Sequence, residues 1–355
     1  MKVLIVATNH TIASLETDVI EGRHQRVDYF ELVRHLNGKY VDYGLTRKDR
    51  AVRWLEDKAR MDFRLAQCVN QIVRKEGYTC VVSLSERVGL PLAKLLPADV
   101  RHIVIMHHPL SANKLRMMRL LNVRQAWDKI IAISRAEADA LRQALNLPVD
   151  FVEPILTPVD TQFFAPPKTA IPFEQQDHIQ SLGLSHRDYP TLIRAMRRLP
   201  DISCHLRVGS AWVDGKGGHE DEILPNNIVI QPYVQPPELR DSYARSRFIV
   251  VPIQGDTQWS AGCTSVQIAQ AMGKAVIVSD RPGLLNYIID GETGIAVRTG
   301  DEQDMAEAID YLWRNPRKAQ EMGQRGREWQ ESNHAIEIWL DQIKHIVTEM
   351  HGVPA

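Results

Sequence analysis

Cysteine is scarce in this chain. Only Cys68, Cys80, Cys204 and Cys263 occur in 355 residues, and no two stand at C-x-x-C spacing. That excludes a zinc ribbon or a redox dithiol and leaves buried, reduced thiols. Long apolar runs are also missing. The opening run, Val3 to Ala7, is five residues, shorter than the roughly 7–15 of a signal-peptide core. Nothing approaches the roughly 18–20 apolar residues that cross a bilayer. A cytoplasmic protein is the expectation, with peripheral contact at the inner membrane face left open. Neither sign of charge is in surplus: 43 Lys and Arg face 44 Asp and Glu, a formal net charge of -1. A nucleic-acid binder carries a basic excess to neutralise phosphates, so no nucleic-acid partner is expected. With 44% hydrophobic residues and so little net charge, disorder is excluded. The seven tryptophans form no spaced stacking platform, and most read as core.

Several chemical motifs are absent as well. No G-x-G-x-x-G follows the first apolar run; Asn9, His10 and Thr11 stand there instead. There is no P-loop and no H-E-x-x-H. No two aspartates lie two apart, so no D-x-D can chelate a metal–nucleotide, and no G-x-S-x-G elbow is found.

What is present is alternation. Short β-branched runs recur at Val3–Ala7, Cys80–Leu84, Ile103–Met106 and Ile130–Ile133. Helical stretches separate them: Val27–Leu36, a long one over Lys48–Lys75, and Ala136–Leu145. Buried parallel strands covered by helices have this grammar. The proline-rich stretch Thr157–Gln176 breaks it and reads as a linker. The grammar then resumes. Strands are expected at His178–Leu182, Cys204–Val208, Ile228–Gln231, Phe248–Pro252, Ala275–Ser279 and Gly294–Val297. Helices are expected at Tyr189–Leu199, Pro237–Ala244, Thr264–Met272, Pro282–Ile289, Glu302–Arg314, Pro316–Glu328 and Ala335–Met350. The expected fold class is α/β, with two Rossmann-like doubly wound domains facing across a cleft. Their bounds are 1–165 and 178–332, with a linker at 166–177 and a closing helix at 333–355 that crosses back to the first domain. Ligands of such sheets bind at the carboxyl ends of the strands.

The segment from Trp259 to Asp280 carries the most chemistry. Small residues Ser260, Ala261 and Gly262 lead into Cys263, Thr264 and Ser265, and a helix follows. Free N–H groups at a helix start attract anions, and small residues let a phosphate approach. A simple helix cap is the alternative meaning of the same residues.

Around this segment, several pieces stand in the order found in the donor-binding domain of family-4 glycosyltransferases of the GT-B fold. Ser181-Leu-Gly-Leu-Ser-His-Arg-Asp-Tyr-Pro-Thr-Leu-Ile-Arg-Ala195 resembles the opening "G…K/R-D…T-L-I-x-A". Leu206 to Ser210, with Gly209, is similar to a strand ending in Val-Gly. Asn227 to Val234, with Tyr233 and Val234, resembles the strand that holds the nucleotide base. Gln270 to Asp280 is similar to "E-A-M-A-x-G-K-P-V-V-x-T/S-D", and Pro282 to Gly294 to "G-G-x-x-E-x-I-x-D-G-x-x-G". Ile131 to Ser134 and Pro158 to Pro166 resemble "I-A-x-S" and "G-V-D-x-x-x-F-x-P". The resemblance spans about residues 125–330. It implies a retaining transferase that uses a nucleotide-diphosphate sugar, with uridine as the base and guanosine as the second choice, a hydroxyl acceptor and no metal or other cofactor.

Departures from the family pattern are specific. Where the family has E-x7-E, this chain has Gly262 and Gln270. Gln270 can still hydrogen-bond a ribose; Gly262 brings no side chain. The arginine of "G-R-L" is replaced by Leu184, which makes Arg187 the nearest cation for the diphosphate, with Lys216 second. In the first half, His107 ends a strand where the family has a histidine facing the donor sugar, and His108 follows. Imidazole suits sugar hydroxyls because it both donates and accepts. Asn9, His10, Thr11 and Glu86 are candidates for the acceptor side, Glu86 as a base. Lys114 to Arg124 is short, basic and amphipathic, so it either faces the core or touches a membrane. The missing glutamate pair keeps a second reading open, an accessory GT-B subunit without transfer activity. A GT-B epimerase would need cleft carboxylates, and the motif stretches are poor in them. Nothing marks the cofactor lysine of a phosphorylase. Acceptor identity and oligomeric state are not legible.

Overall fold

The computed structural model describes every residue except 13, 47–49, 108–109, 170, 173–174, 210–221, 256–258 and 353–355. His108 and Lys216 therefore lie outside the described residues. Packing divides the chain into two units. One holds Met1–Ile20, Arg26–Leu156 and the chain from Glu337 on; the other holds Glu21–Gln25 and Thr157–Ile336.

The first unit is built on β1 (Val3–Val6), β2 (Lys39–Val41), β3 (Cys80–Ser83), β4 (Arg101–Met106), β5 (Lys129–Ala132) and β6 (Val152–Pro154). All pair in parallel, in the order β2-β1-β3-β4-β5-β6. Val3 to Val6 are buried throughout, as expected of a strand covered on both faces. The second unit carries β7 (His178–Leu182), β8 (Ser203–Arg207), β9 (Ile228–Gln231), β10 (Ile249–Val251), β11 (Val276–Ser279) and β12 (Ile295–Val297). They too are parallel, in the order β12-β11-β10-β7-β8-β9. The direction of winding reverses between β7 and β10. The crevice at such a reversal is where doubly wound sheets take ligands.

Helices cover both sheets. The closing helix, Ile336–Glu349, packs on the first unit as expected. Arg26 pairs with Glu337 at 2.6 Å and His35 with Asp341 at 2.9 Å, while Ile343 and Val347 are fully buried.

Four local expectations change. The long helix over Lys48–Lys75 is two helices, Arg50–Ala59 and Phe63–Glu76. Arg60 takes a left-handed φ of 54° between them and ends the first. Pro282–Ile289 is only a short 3-10 turn over Leu284–Tyr287. An additional helix, Glu86–Leu95, follows β3 although Pro91 lies inside it. Proline cannot donate to the carbonyl four residues back; the N–H of Asp62 supplies that bond to the Arg87 carbonyl at 2.9 Å. Finally, β2 and β6 are edge strands with too few apolar residues to stand out by pattern.

Candidate functional site

At the winding reversal of the second sheet, the loop leaving β7 is stitched to the chain leaving β10. Asp188 N–H donates to the Pro252 carbonyl at 3.0 Å and Gln254 N–H to the His186 carbonyl at 3.0 Å. Arg187 and Ile253 form an antiparallel bridge. The Gln254 amide adds a bond to the Arg187 carbonyl at 3.1 Å. Ser279 Oγ accepts the Ile253 N–H at 2.9 Å. The backbone of Arg187 is thus held from both sides.

Its side chain folds inward and is 5% exposed. Nε donates to the Leu182 carbonyl at 2.7 Å, one terminal nitrogen to the Ser185 carbonyl at 3.2 Å, and the other to Ser265 Oγ at 2.8 Å. Among the described residues no carboxylate pairs with it. Burial pushes the guanidinium below its ordinary pKa, partly offset by the Tyr189, Tyr243 and Cys263 side chains. Gly183 makes room for it: at φ 108°, a Cβ there would lie 2.6 Å from the guanidinium.

Ser265 lies in the first turn of the helix Cys263–Ala271. Gly262 precedes that helix with φ 90° and no side-chain cap. A Cβ at Gly262 would sit 2.8 Å from Val251 and 3.0 Å from Ile253, so only glycine fits this approach to β10. Cys263 is buried, Ser265 half-buried and Thr264 exposed. The structure therefore joins Arg187, Gly262, Cys263, Thr264 and Ser265 in one place: a positive helix start with a buried cation beside it. That arrangement suits an anion.

At the ends of β8 and β9, Gly209 packs on Tyr233; a Cβ at Gly209 would lie 2.5 Å from the tyrosine Cβ. Tyr233 is exposed and Val234 half-buried, which suits a surface for a flat base. Gln270 is different. It is fully buried. Its amide donates to the carbonyl and hydroxyl of Thr293 at 3.2 Å and accepts from Gln330 at 2.5 Å. A ribose contact from Gln270 would need that inward network to open.

In the first unit, the candidate side chains are already engaged. Asn9 Oδ1 accepts from the Tyr40 hydroxyl at 2.7 Å. Thr11 donates to Asp42 from its N–H at 2.9 Å and from its hydroxyl at 2.7 Å. His10 is exposed and tilts against the Tyr43 ring at 5.3 Å. Glu86 is 2% exposed at the start of its helix. It pairs with Lys114 and accepts the His107 backbone N–H at 3.2 Å. The His107 ring is half-buried, its Nε2 3.2 Å from the Leu84 carbonyl. Glu86 thus links the end of β4 to the helix Ala112–Leu120. Its charge is matched rather than free, which does not suit a general base. Lys114 and Arg119 turn their charges onto Glu86 and the Ala144 carbonyl, and Met118 is fully buried, so that helix faces inward.

Sequence reasoning missed three supports of the site. The Tyr189 hydroxyl holds the Gly183 carbonyl at 2.6 Å. Gln254 and Ser279 hold the stitched loop. Gly183 itself stood in the quoted Leu-Gly-Leu, where a glycine after a buried strand signals a close approach. No His, Cys, Asp and Glu cluster among the described residues has the composition of a metal site. None of their helices is long and apolar enough to cross a membrane.

Comparison with known proteins agrees with this fold. The family described as Glycosyl transferases group 1 matches residues 184–329, and Glycosyltransferase Family 4 matches residues 16–163. A D-inositol 3-phosphate glycosyltransferase of Paenarthrobacter aurescens is 24% identical over 261 residues, covering 68% of this chain and 63% of that protein. One from Nocardia farcinica is 31% identical over 128 residues, covering 34% and 27%. The chain thus spans less than two thirds of these relatives. Among solved structures, sucrose-phosphate synthase from Thermosynechococcus elongatus superposes with TM-score 0.75 at 16% identity, covering 99% of both chains. Anabaena Alr3699/HepE in complex with UDP-glucose gives 0.71 at 15% identity, covering 98% of this chain and 100% of the other. At such identities the likeness is one of fold, GT-B-like with two parallel six-stranded sheets.

Proposed function

Because the chain belongs to the group 1, family 4 glycosyltransferases, we propose that it moves a sugar from a nucleotide-diphosphate sugar to a hydroxyl acceptor with retention of configuration. The observation that carries this reading is the buried, carboxylate-free Arg187 at the start of the helix Cys263–Ala271. A buried cation without a counter-ion is costly, and a diphosphate is the partner its surroundings fit. As the sugar's C1–O bond breaks, negative charge grows on the departing diphosphate. Arg187, the backbone N–H groups of Thr264 and Ser265, and their hydroxyls stabilise it where it grows. Lys216 is a further cation for the same charge. The acceptor oxygen bonds C1 on the face the diphosphate leaves, and the acceptor's proton passes to the diphosphate. Nothing in this scheme requires a metal. His107 is the candidate for the donor sugar, and Asn9, His10, Thr11 and His108 are the candidates for the acceptor. The donor is a uridine nucleotide held by Tyr233 and Val234 beside Gly209; UDP-glucose in Alr3699/HepE supports that choice.

Gly262 without a carboxylate and Gln270 turned inward favour one other reading, a nucleotide-binding accessory subunit without transfer. A thermal-shift panel with uridine, guanosine, adenosine and thymidine diphosphates and their sugars, with magnesium or with chelator, tests the proposal. At about 100 times its dissociation constant a ligand adds roughly 2.7 kcal/mol, a shift of a few degrees. The expected result is a shift with the uridine series, unchanged by chelator and lost in Arg187→Ala. Binding without release of free UDP from any UDP-sugar would favour the accessory reading. No shift with any nucleotide would defeat both.

A further inference from the structure

The helix Arg50–Ala59 of the first unit is turned the wrong way round for a soluble surface. Among its described positions the buried one is an acid: Glu56 is 4% exposed. Meanwhile Trp54 and Leu55 stand 61% and 53% exposed. Helical spacing puts Trp54, Leu55 and Lys58 on one face, and Lys58 Nζ lies over the indole at 5.1 Å. Of the described acids here, Glu56 and Asp62 are spent inward, while Asp57 stays largely exposed. Glu56 accepts from the Arg64 backbone at 2.7 Å and from its guanidinium at 3.0 and 2.6 Å. Asp62 and Asp57 both engage Arg87, at 2.9 and 3.6 Å. Arg53, Lys58 and Arg60 are exposed, and none has an acidic partner among the described residues. Just beyond the helix, Phe63 is 43% exposed.

From this we infer that Trp54, Leu55 and Lys58 dock the protein on an anionic lipid bilayer. Cations that draw toward lipid phosphates, beside an indole and an isobutyl group that settle at the headgroup boundary, are what an interfacial helix presents. A protein partner would more often be met by a groove or a neutral apolar patch. The segment leaves β2 through Asp42 and Tyr43, which hold Thr11 and Asn9. The docking helix and the loop Asn9–Thr11 therefore stand at the same end of the first sheet. The inference is independent of glycosyl transfer, since vesicle binding is read without nucleotide.

The test is co-sedimentation of the full chain with vesicles of equal phosphatidylglycerol and phosphatidylcholine, and with phosphatidylcholine alone. Binding to the anionic vesicles is expected, at least 10-fold weaker on phosphatidylcholine and weakened by salt. Trp54→Ser with Leu55→Ser should lower it at least 10-fold, and Lys58→Glu several-fold. These side chains are exposed, so circular dichroism and thermal midpoint should not change; Trp54→Phe, which keeps an aromatic ring, should retain most of the binding. No binding by the wild type, or equal binding by a folded double-serine variant, would overturn the inference. So would light scattering that shows a dimer which the same variant dissolves, because the face would then be covered by a second copy.

Discussion

Two charges, one buried at the carboxyl end of each sheet, are treated in opposite ways. Glu86 in the first unit is matched by Lys114 and the His107 N–H. Arg187 in the second is surrounded by two carbonyls and a hydroxyl, with no acid among the described residues. A matched buried charge holds structure together; an unmatched one is an invitation to a ligand. The comparison separates a positioning device from a binding one. It also says which variant should hurt folding and which should hurt only binding.

The largest effect is expected from Arg187→Met. Uridine diphosphate affinity should fall at least 100-fold, about 2.7 kcal/mol, by isothermal titration. Stability without ligand should change much less, because the desolvation cost of the cation disappears along with its hydrogen bonds. Equal losses in both measurements would erase the distinction between the two sites. Glu86→Gln should do the reverse, lowering stability by about 3 kcal/mol in urea unfolding while leaving nucleotide affinity within a few-fold. It strands Lys114, so Glu86→Gln with Lys114→Met should recover part of the loss, the signature of a coupled pair. A double variant no better than the single one would mean that Glu86 acts only through His107.

Gly262→Ala sharpens the same contrast at one backbone position. The left-handed φ of 90° and the 2.8 Å approach to Val251 leave no room for a methyl. About 1–2 kcal/mol of stability should be lost, and nucleotide affinity should drop as the helix start moves. Gly291, with φ 75° and nothing near its missing Cβ, is the control. Its alanine variant should show the smaller backbone cost alone and normal nucleotide binding.

The second unit was far more legible in the sequence than the first. His178–Leu182, Ile228–Gln231 and Glu302–Arg314 match their expected bounds to the residue, because apolar runs and helical periods there are bounded by Pro, Gly or a capping Asp. In the first unit, Lys39–Val41 gives no apolar signal because only Val41 is buried. Glu86–Leu95 was hidden by Pro91, whose missing bond is supplied by Asp62, a residue from another helix boundary. The site followed the same rule. Gly262 to Ser265 could be read locally, since a helix start is a short-range feature. The inward turn of Gln270 depends on Gln330, 60 residues away. The neutralisation of Glu86 depends on Lys114, 28 residues away. Pairings at such range leave no trace in spacing.

The mildest contrast between the units is in two histidines whose pKa is pushed down. His102 in the first unit is 1% exposed, with Nε2 2.9 Å from Ser83 Oγ, and burial pushes it down to about 3. His205 in the second stacks on His178 at 3.8 Å; burial, then the His178 charge, push it down to about 4. Both folded values lie below the unfolded value of about 6.5, so the unfolded chain takes up protons first as pH falls. The stability tied to neutral rings is complete above about pH 6.5. It declines as pH drops toward 4 for His205 and toward 3 for His102. The thermal midpoint should therefore slide by a few degrees between pH 6.5 and 4. His205→Gln should flatten that slope only modestly, since the ring is half in solvent, whereas His102→Gln, in a fully buried position, should flatten it more at some cost in stability at neutral pH. If both variants kept the wild-type slope, acid sensitivity would have to come from paired carboxylates such as Asp42, held low by Thr11 and the Gly44 N–H against the effect of burial. Its loss would set in at the ordinary carboxylate range and continue below it, at a lower pH than the histidines predict.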